Sequence, residues 1–231
     1  MRPAPKWLSR PLLGLLVVLC VWQGWYLGWV VWWKYVDPGT TAFMRQRLAE
    51  LRQQIPKAEL KHKWLPYGRI ADPLKRAVVA AEDDKFIDHE GFDWEGMQKA
   101  LEKNQRKGKV VAGGSTISQQ LAKNLFLSAA KTPWRKAQEA TITIWLELVW
   151  DKRRILEVYL NSVEWGEGVF GADAAARRFY DVGAENLSAD QAARLAVMLP
   201  APRRYEKNPY SPYMNGRTQL ILARMHDAEV P

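Results

Sequence analysis

Apolar residues follow two patterns along this chain: one continuous run near the start, then a series of helical repeats. Between Pro11 and Trp33 there is no charged residue, and Leu, Val, Trp and Gly dominate. An α-helix needs about 20 such residues to cross the hydrocarbon core of a bilayer. The run therefore predicts a transmembrane helix over residues 11–33.

A cleaved signal peptide is the alternative interpretation of this run. The run is longer than the roughly 7–15 residues of a signal-peptide core, and the residues 32–35, Trp-Trp-Lys-Tyr, are not the small residues of a cleavage site. Both observations favour an uncleaved anchor. Tyr and Trp also cluster at the outer end of the run, as they do at the headgroup layer of membranes.

Positive charge is unevenly distributed around the anchor. Arg2, Lys6 and Arg10 precede it, and only Lys34 follows closely. Because cytoplasmic flanks carry the excess of Lys and Arg, residues 1–10 are predicted to be cytoplasmic and the large domain to lie on the other side.

After the anchor, apolar residues recur at helical spacing. Met44 to Ile55 shows this spacing and ends at Pro56, which predicts a linker helix within a membrane-proximal segment, residues 34–56. No later segment shows strand alternation, so residues 57–231 are predicted to form one mainly α domain without repeats. Its predicted helices run from Asp72-Pro73 to Glu82, from Asp93 past Leu101, from Ser115 past Leu125, and over 134–150, 153–163, 172–180, 189–199 (capping box Ser188 and Gln191) and 216–227.

Composition narrows the class of protein. A hydrophobic fraction of 48% with 26% charged residues is typical of a globular chain. Beyond the three N-terminal cations, Lys and Arg exceed Asp and Glu by six, which suits a polyanion, a phosphorylated substrate or an anionic membrane surface. The single cysteine, Cys20, lies in the anchor, so neither a disulfide framework nor a Cys-based metal site is predicted. His89 lacks a second histidine at i,i+4, which argues against a helical zinc site.

The segment from Glu82 to Asp93 contains six acids in twelve residues, which suits a polar cleft better than a core. Glu82 ends a helix of small and apolar residues and lies beside like charge. Partial burial and neighbouring negative charge both raise the pKa of a carboxyl group toward that of a general base. On these residues alone, a solvated helix end is the favoured interpretation.

The turn Gly113-Gly114-Ser115-Thr116 opens a helix that carries several uncharged polar side chains and one lysine. Backbone N–H groups and hydroxyls at a helix N-terminus suit an anionic oxygen or a sugar hydroxyl. An ordinary loop and N-cap would contain the same residues. The polar side chains of this helix are Gln119, Gln120, Lys123 and Asn124.

Glu157 lies among apolar residues of the predicted helix 153–163. A buried carboxylate needs a partner, and the neighbouring basic residues make a structural ion pair as reasonable as a catalytic role. The cations Lys123, Arg135, Lys136, Lys152 and Arg154 together suit a diphosphate, with a solvated helix face as the alternative.

Two other functions are disfavoured. Residues 128–131 match the Ser-x-x-Lys pattern of penicillin-binding transpeptidases, but no Lys-Thr-Gly follows. Nucleic-acid binding fits neither an external domain nor the acids of the predicted cleft.

Four blocks of this sequence resemble motifs of the peptidoglycan glycosyltransferases of family 51, and they occur in the family's order behind a membrane anchor. The match is E-D-x-x-F-x-x-H-x-G at Glu82, Asp83, Phe86, His89 and Gly91; G-G-S-T-I-T-Q-Q at 113–120; R-K-x-x-E at Arg135, Lys136 and Glu139; and I-L-E-x-Y-L-N at 155–161. Ser118 stands where the family usually has Thr. That change keeps a hydroxyl.

The resemblance implies a mainly α, lysozyme-like fold in the bacterial inner membrane, with a periplasmic domain that acts on lipid II. Glu82 would deprotonate the acceptor 4-hydroxyl, which attacks the donor MurNAc anomeric carbon with inversion, forms a β-1,4 linkage and releases undecaprenyl diphosphate. Glu157 would assist the leaving group or orient a cation. No transpeptidase activity is implied. The implied substrate-binding residues are Asp83, Phe86, His89, Gly114, Ser115, Thr116, Gln119, Gln120, Lys123, Asn124, Arg135, Lys152 and Arg154.

The resemblance requires no cofactor, but it allows a divalent cation, Mg or Mn, on the diphosphate, held partly by Glu82 or Asp83. Implied partners are lipid II, the growing lipid-linked strand, the bilayer and other cell-wall synthesis or division proteins. Two rival hypotheses stay open: a glycan hydrolase with a carboxylate pair, and a non-enzymatic scaffold for cell-wall proteins.

Overall fold

A computed structural model describes residues 6–109, 113–128, 130 and 132–231, with side chains from residue 11 onward. Arg2 and the rest of 1–5 lie outside the described residues, as do the side chains of Lys6 and Arg10, so the charge bias of the predicted cytoplasmic segment is not described. Residues 129 and 131 of the Ser-x-x-Lys pattern also lie outside them.

Helices make up most of the described chain. They are α1 Lys6–Tyr35, α2 Ala42–Gln54, α3 Asp72–Glu82, α4 Trp94–Lys107, α5 Ile117–Phe126, α6 Pro133–Val149, α7 Lys152–Ser162, α8 Ala172–Tyr180, α9 Ala189–Met198, α10 Pro202–Tyr205 and α11 Pro212–Arg224, with 3-10 turns at Tyr67–Arg69 and Ala184–Asn186. The prediction of a mainly α domain is confirmed. Whether residue 57 is the domain boundary stays a prediction.

Helix starts follow side-chain caps, but the predicted start of the last helix and the predicted caps of α3 and α5 were wrong. Asp93 caps α4, and the Ser188–Gln191 capping box begins α9, as predicted. The last long helix begins at Pro212, not 216, because the Ser211 hydroxyl accepts a hydrogen bond from the amide of residue 214. Asp72 is the first residue of α3, so it does not occupy the cap position that precedes the helix.

The mainly helical domain also contains a small sheet, which the sequence did not indicate. Its strands are β1 Lys61–His62, β2 Glu164–Gly166 and β3 Val169–Phe170, in the order β1-β3-β2. β1 pairs parallel to β3, and β2 pairs antiparallel to it. Strands of two or three residues are too short to show a period of two in sequence.

α5 is the central helix of the domain, since it packs against α2, α6 and α7. Ile117, Leu121 and Leu125, predicted to share one face of this helix, are at most 1% exposed. A second layer consists of α3, α9 and α11. The polar N-terminal end of α5 lies beside the C-terminal end of α3, where the acidic segment begins.

α1 is the one helix in the described part of the chain that is long and apolar enough to span a membrane, from Pro11 to Tyr35. Its outer half also packs against α6 of the domain. Gln23 and Gln138 exchange side-chain hydrogen bonds of 2.9 and 3.3 Å, and Trp150 Nε1 donates to the carbonyl of Val30 at 2.8 Å. The anchor is thus packed directly onto the domain.

Gly171 offers a test of the junction between β3 and α8. Its φ of +82° is a left-handed conformation, and an added Cβ would lie 2.9 Å from the carbonyl oxygen of Asn161. We expect Gly171→Ala to lower the free energy of unfolding by about 1–3 kcal/mol. Gly216→Ala is the matched control, because that helical position is open and Ala is favoured there by up to about 1 kcal/mol. Urea or thermal unfolding of the full chain in detergent measures both, and equal stability of the two variants would show that position 171 accepts a Cβ without strain.

Candidate active site

Asp83, the residue that follows α3, joins the acidic segment to the glycine turn. Its Oδ2 accepts a hydrogen bond from the backbone amide of Ile117 at 2.9 Å, so it satisfies a free N–H at the start of α5. Its Oδ1 lies 2.9 Å from His89 Nε2. Because the amide of Gly91 donates to His89 Nδ1 at 3.1 Å, Nε2 carries the proton and donates to Asp83. Two segments about thirty residues apart are brought together by this one carboxylate.

The glycine turn does not form the predicted open anion site. Thr116, not Ser115, is the N-cap of α5, and a complete capping box links it to Gln119. The amide of Thr116 donates to Gln119 Oε1, and the amide of Ile117 donates to Asp83. With these amides occupied, Ser115 remains the exposed hydroxyl of the turn.

Glu82 is the last residue of α3, and its carboxyl group faces a cleft. Burial raises its pKa above the ordinary value of a glutamate, and the charge of Asp83 adds to the rise. The hydrogen bond from Gln120 and the charges of Lys123 and Arg217 oppose it without reversing it. A carboxyl group with a raised pKa in a cleft is suited to accept and return a proton.

The side-chain amide of Gln120 donates a hydrogen bond to the carboxylate of Glu82, and a hydrogen bond from Tyr159 fixes the orientation of that amide. Gln120 Nε2 donates to Glu82 Oε2 at 2.7 Å, and the hydroxyl of Tyr159 donates to Gln120 Oε1 at 3.0 Å. Burial raises the pKa of Tyr159 well above its ordinary value, so its hydroxyl stays a neutral donor. Donation from Tyr159 directs the NH₂ group of Gln120 toward Glu82.

A cavity of about 570 Å³ opens on one side of Glu82, and we call it the cation cavity. Its cations are Arg47, Lys123, Arg135 and Lys136. The carboxylate of Glu139, only 4% exposed, pairs with Arg135 Nη1 at 2.5 Å and with the Lys136 ammonium. Burial lowers the pKa of Lys123, an effect that the charge of Glu139 opposes. Four cations against two carboxyl groups, those of Glu82 and Glu139, leave an excess of positive charge that suits a diphosphate.

A second cavity, of about 530 Å³, opens on the other side, and we call it the aromatic cavity. The rings of Tyr205 and Tyr213 stack there with centroids 5.8 Å apart, next to Arg217. Flat aromatic faces and a guanidinium suit a polar ring such as a sugar. Glu82, Ser115 and Gln120 line both cavities, so Glu82 lies at their junction.

Glu157 and Arg154, predicted to act on the leaving group, line neither cavity. Glu157 Oε1 accepts from the amide of Tyr67 at 2.8 Å, and Oε2 pairs with Arg154 at 2.8 Å. Arg154 also donates to the carbonyl of Trp33 at 2.8 Å and pairs with Asp37 at 2.9 Å. This placement gives no support to the predicted roles, which stay predictions. It matches the alternative of a structural ion pair, which here fastens α7 to the end of the anchor.

Several other predicted binding residues lie behind the cleft. Lys152 Nζ donates to the carbonyl of His89 at 2.5 Å, pairs with Glu147 at 2.9 Å and lies 4.8 Å from the centre of the Phe86 ring. Phe86 and Asn124 are buried. Lys152 thereby supports the loop after Glu82, and none of these three side chains lines a cavity at Glu82. Ser118 is buried as well, and its hydroxyl donates to Glu147 at 2.5 Å, so the change from the family's Thr retains a hydrogen bond.

The remaining predicted residues line the cavities, together with others that the sequence did not indicate. Ser115, Gln119, Gln120, Lys123 and Arg135 line the cation cavity, and Gly114 lines a smaller cavity beside Glu82. Arg47, Tyr205, Tyr213 and Arg217 were missed, because they come from α2, α10 and α11, far from any motif. The run Arg203-Arg204-Tyr205 is the one local signal that mixes charge with an aromatic ring.

The predicted metal site at Glu82 and Asp83 fits poorly. Both oxygens of Asp83 already accept hydrogen bonds, and Glu82 Oε2 accepts one from Gln120. A metal ion would have to displace the bonds that hold the start of α5.

A mainly helical domain with one candidate membrane helix and a carboxyl group between a cationic and an aromatic cavity is that of a glycosyltransferase. Comparison with known proteins agrees: a transglycosylase family model matches residues 48–226. The chain belongs to this family, which confirms the resemblance and the lysozyme-like helical fold. It is 59% identical over the whole of both chains to the biosynthetic peptidoglycan transglycosylase of Dechloromonas aromatica (strain RCB), and 57% identical over the whole of both chains to that of Azoarcus sp. (strain BH72).

The Tyr159–Gln120–Glu82 chain predicts a shift in pH dependence. A hydrogen bond to a carboxylate lowers its pKa, so loss of the oriented amide in Tyr159→Phe raises the pKa of Glu82 further. Activity that needs the carboxylate falls as pH drops through that pKa. We therefore expect the acid limb of the pH–rate profile to move to higher pH by up to about one unit.

The matched control is Tyr67→Phe, because the Tyr67 hydroxyl donates to the carbonyl of Pro231, away from Glu82. Transglycosylase rates measured from acid to neutral pH should show an unshifted limb for this variant. An unshifted limb in Tyr159→Phe as well would refute the proposed orientation of Gln120.

Proposed function

We propose that the protein polymerises lipid II into β-1,4-linked glycan strands and releases undecaprenyl diphosphate. The observation that carries this proposal is the position of Glu82, a carboxyl group of raised pKa between the cation cavity and the aromatic cavity. The names of the relatives, biosynthetic peptidoglycan transglycosylases, support the same substrate class.

In the proposed reaction Glu82 takes the proton of the acceptor 4-hydroxyl. The freed oxygen attacks the anomeric carbon of the donor MurNAc from the face opposite the diphosphate. A new C–O bond forms as the bond to the diphosphate breaks, so the α linkage becomes β. General-base catalysis of this kind contributes about 10²–10⁴-fold.

The cation cavity would bind the donor's diphosphate and stabilise the charge that develops on it. Lys123, Arg135 and Lys136 supply this charge, and Glu139 holds the last two in place. Preorganised cations stabilise a departing anion without rearranging during the step. Gln120 keeps the carboxylate of Glu82 aimed into the cleft.

The anchor would keep the domain where a lipid-tailed substrate is found. We propose that α1 crosses the inner membrane, with the N-terminus in the cytoplasm on the basis of Arg2, Lys6 and Arg10, and the domain in the periplasm. Contact with other cell-wall synthesis or division proteins stays a prediction. A divalent ion on the substrate's diphosphate also stays a prediction, and no step here depends on it.

The environment of Glu82 favours transfer over hydrolysis of finished glycan. A glycosidase needs a second available carboxyl group across the sugar. The other acids that line the cation cavity, the aromatic cavity and the smaller cavity beside Glu82 are already engaged within the protein. Asp83 binds His89 and the start of α5, Asp84 pairs with Arg224, Asp93 caps α4, and Glu139 binds two cations.

Glu82→Gln should abolish polymerisation while the fold is preserved, because the amide keeps the shape but cannot accept the proton. We expect the rate on lipid II to fall by about 10²–10⁴-fold. Glu157→Gln should retain polymerisation, since its carboxylate lies outside both cavities. Gel separation of glycan products and circular dichroism of each variant measure rate and fold.

Each rival hypothesis predicts a different experimental result. Cleavage of finished strands without polymerisation of lipid II would establish the hydrolase. Full activity of Glu82→Gln in promoting cell-wall assembly would support the scaffold and refute a catalytic carboxylate.

A further inference from the structure

A third cavity, of about 470 Å³, lies between α1, the start of α2 and the end of α5, and we call it the anchor groove. None of the motif residues lines it. Its walls are aromatic, contributed by Trp25, Tyr26, Trp29 and Trp33 of α1 and by Phe126 of α5.

The rings of the anchor groove form a connected series along α1. Centroid distances are 6.0 Å from Trp25 to Trp29, 5.2 Å from Trp29 to Trp33 and 5.0 Å from Trp33 to Phe126. Tyr26 meets Phe126 edge to face at 5.6 Å. Trp25 and Trp29 are still 65% and 37% exposed, so the series presents a large apolar surface that the protein itself leaves uncovered.

The position of the groove indicates what covers it. Its four α1 residues belong to the outer half of the candidate membrane span, Pro11–Tyr35. At that level the surroundings of a spanning helix run from lipid hydrocarbon to the headgroup layer rather than bulk water. A chain with regular methyl branches suits rings spaced 5–6 Å apart, because each branch can rest on the next ring face.

Charge at the rim indicates a phosphorylated lipid. Arg45 lines the groove, and within the described ranges its guanidinium has no hydrogen-bond or ion-pair partner. On α5, Lys123 lines the cation cavity and Phe126 lines the groove, three residues further along. At 1.5 Å rise per residue these positions differ by about 4.5 Å along the helix. A lipid with its phosphates near Lys123 can therefore enter the groove with its chain.

We propose that the anchor groove binds the polyisoprenoid chain of the lipid-linked substrate, with Arg45 near the phosphate end of that chain. This rests on the proposed function. The aromatic series of α1 then acts as part of the substrate site, and a chain held there delivers its diphosphate to the cation cavity.

The kinetic test compares two neighbouring tryptophans in the full chain. Trp29 lines the groove, whereas Trp32 is 56% exposed and does not. We expect Trp29→Ala to raise KM for lipid II with its natural chain about tenfold, with kcat unchanged and no change on an analogue with a two-isoprene chain. Trp32→Ala should match the parent on both substrates, and Trp29→Phe should restore most of the affinity because it restores a ring. Equal effects of Trp29→Ala and Trp32→Ala, or equal effects on both chain lengths, would overturn the proposal.

A binding test needs no turnover, so it separates failure of the groove from failure of the proposed function. The full chain in nanodiscs of phosphatidylethanolamine and phosphatidylglycerol is crosslinked with polyprenyl diphosphate that carries a diazirine in its chain. Labelling of 25–33 and 125–126, competed by unlabelled polyprenyl diphosphate but not by added phosphatidylglycerol and weakened in Arg45→Gln, supports the groove. Labelling that phosphatidylglycerol competes equally, or labelling elsewhere, would refute it. A chain that binds here but polymerises nothing would refute only the proposed function.

Discussion

The active-site region depends on one buried carboxylate. Asp83 is 7% exposed, and its two oxygens hold the first amide of α5 and the ring of His89. A buried charge is costly unless hydrogen bonds satisfy it, so the chain on both sides must keep the geometry that satisfies it. That requirement places the end of α3 against the start of α5 and leaves the adjacent carboxyl group of Glu82 facing the cleft. Lys152 supports the same loop through the carbonyl of His89.

Opposed electrostatic effects meet at this junction. Burial makes the carboxylate of Glu82 less stable, while Gln120 and Lys123 stabilise it, and the balance leaves its pKa raised. In the cation cavity positive charge exceeds negative charge, since four cations line it with two acids, Glu82 and Glu139. The same cleft therefore contains a group ready to accept a proton and a charged surface ready to accept an anion.

The membrane helix is an element of the fold as well as an anchor. Arg154, held by Glu157, donates to the last turns of α1, and Gln23 pairs with Gln138 of α6. Amide pairs between helices in an apolar environment typically contribute about 0.6–2 kcal/mol. In the function that we propose, these contacts would set the height of the cleft relative to the bilayer and so bring it level with a lipid-linked diphosphate.

Local sequence was enough to determine the anchor, most helices, the motif blocks and, through them, the protein class. Those features depend on spacing along one helix and on capping residues next to it, which a linear pattern contains. Tertiary structure decided what each motif residue does. Asp83 and Thr116 cap α5, Glu157 fastens the anchor, and Arg47, Tyr205 and Arg217 enter the cleft from helices far along the chain. The sequence around a helical carboxylate does not tell whether that carboxylate faces a cleft or an arginine. Its role depends on partners that only packing brings within hydrogen-bond distance.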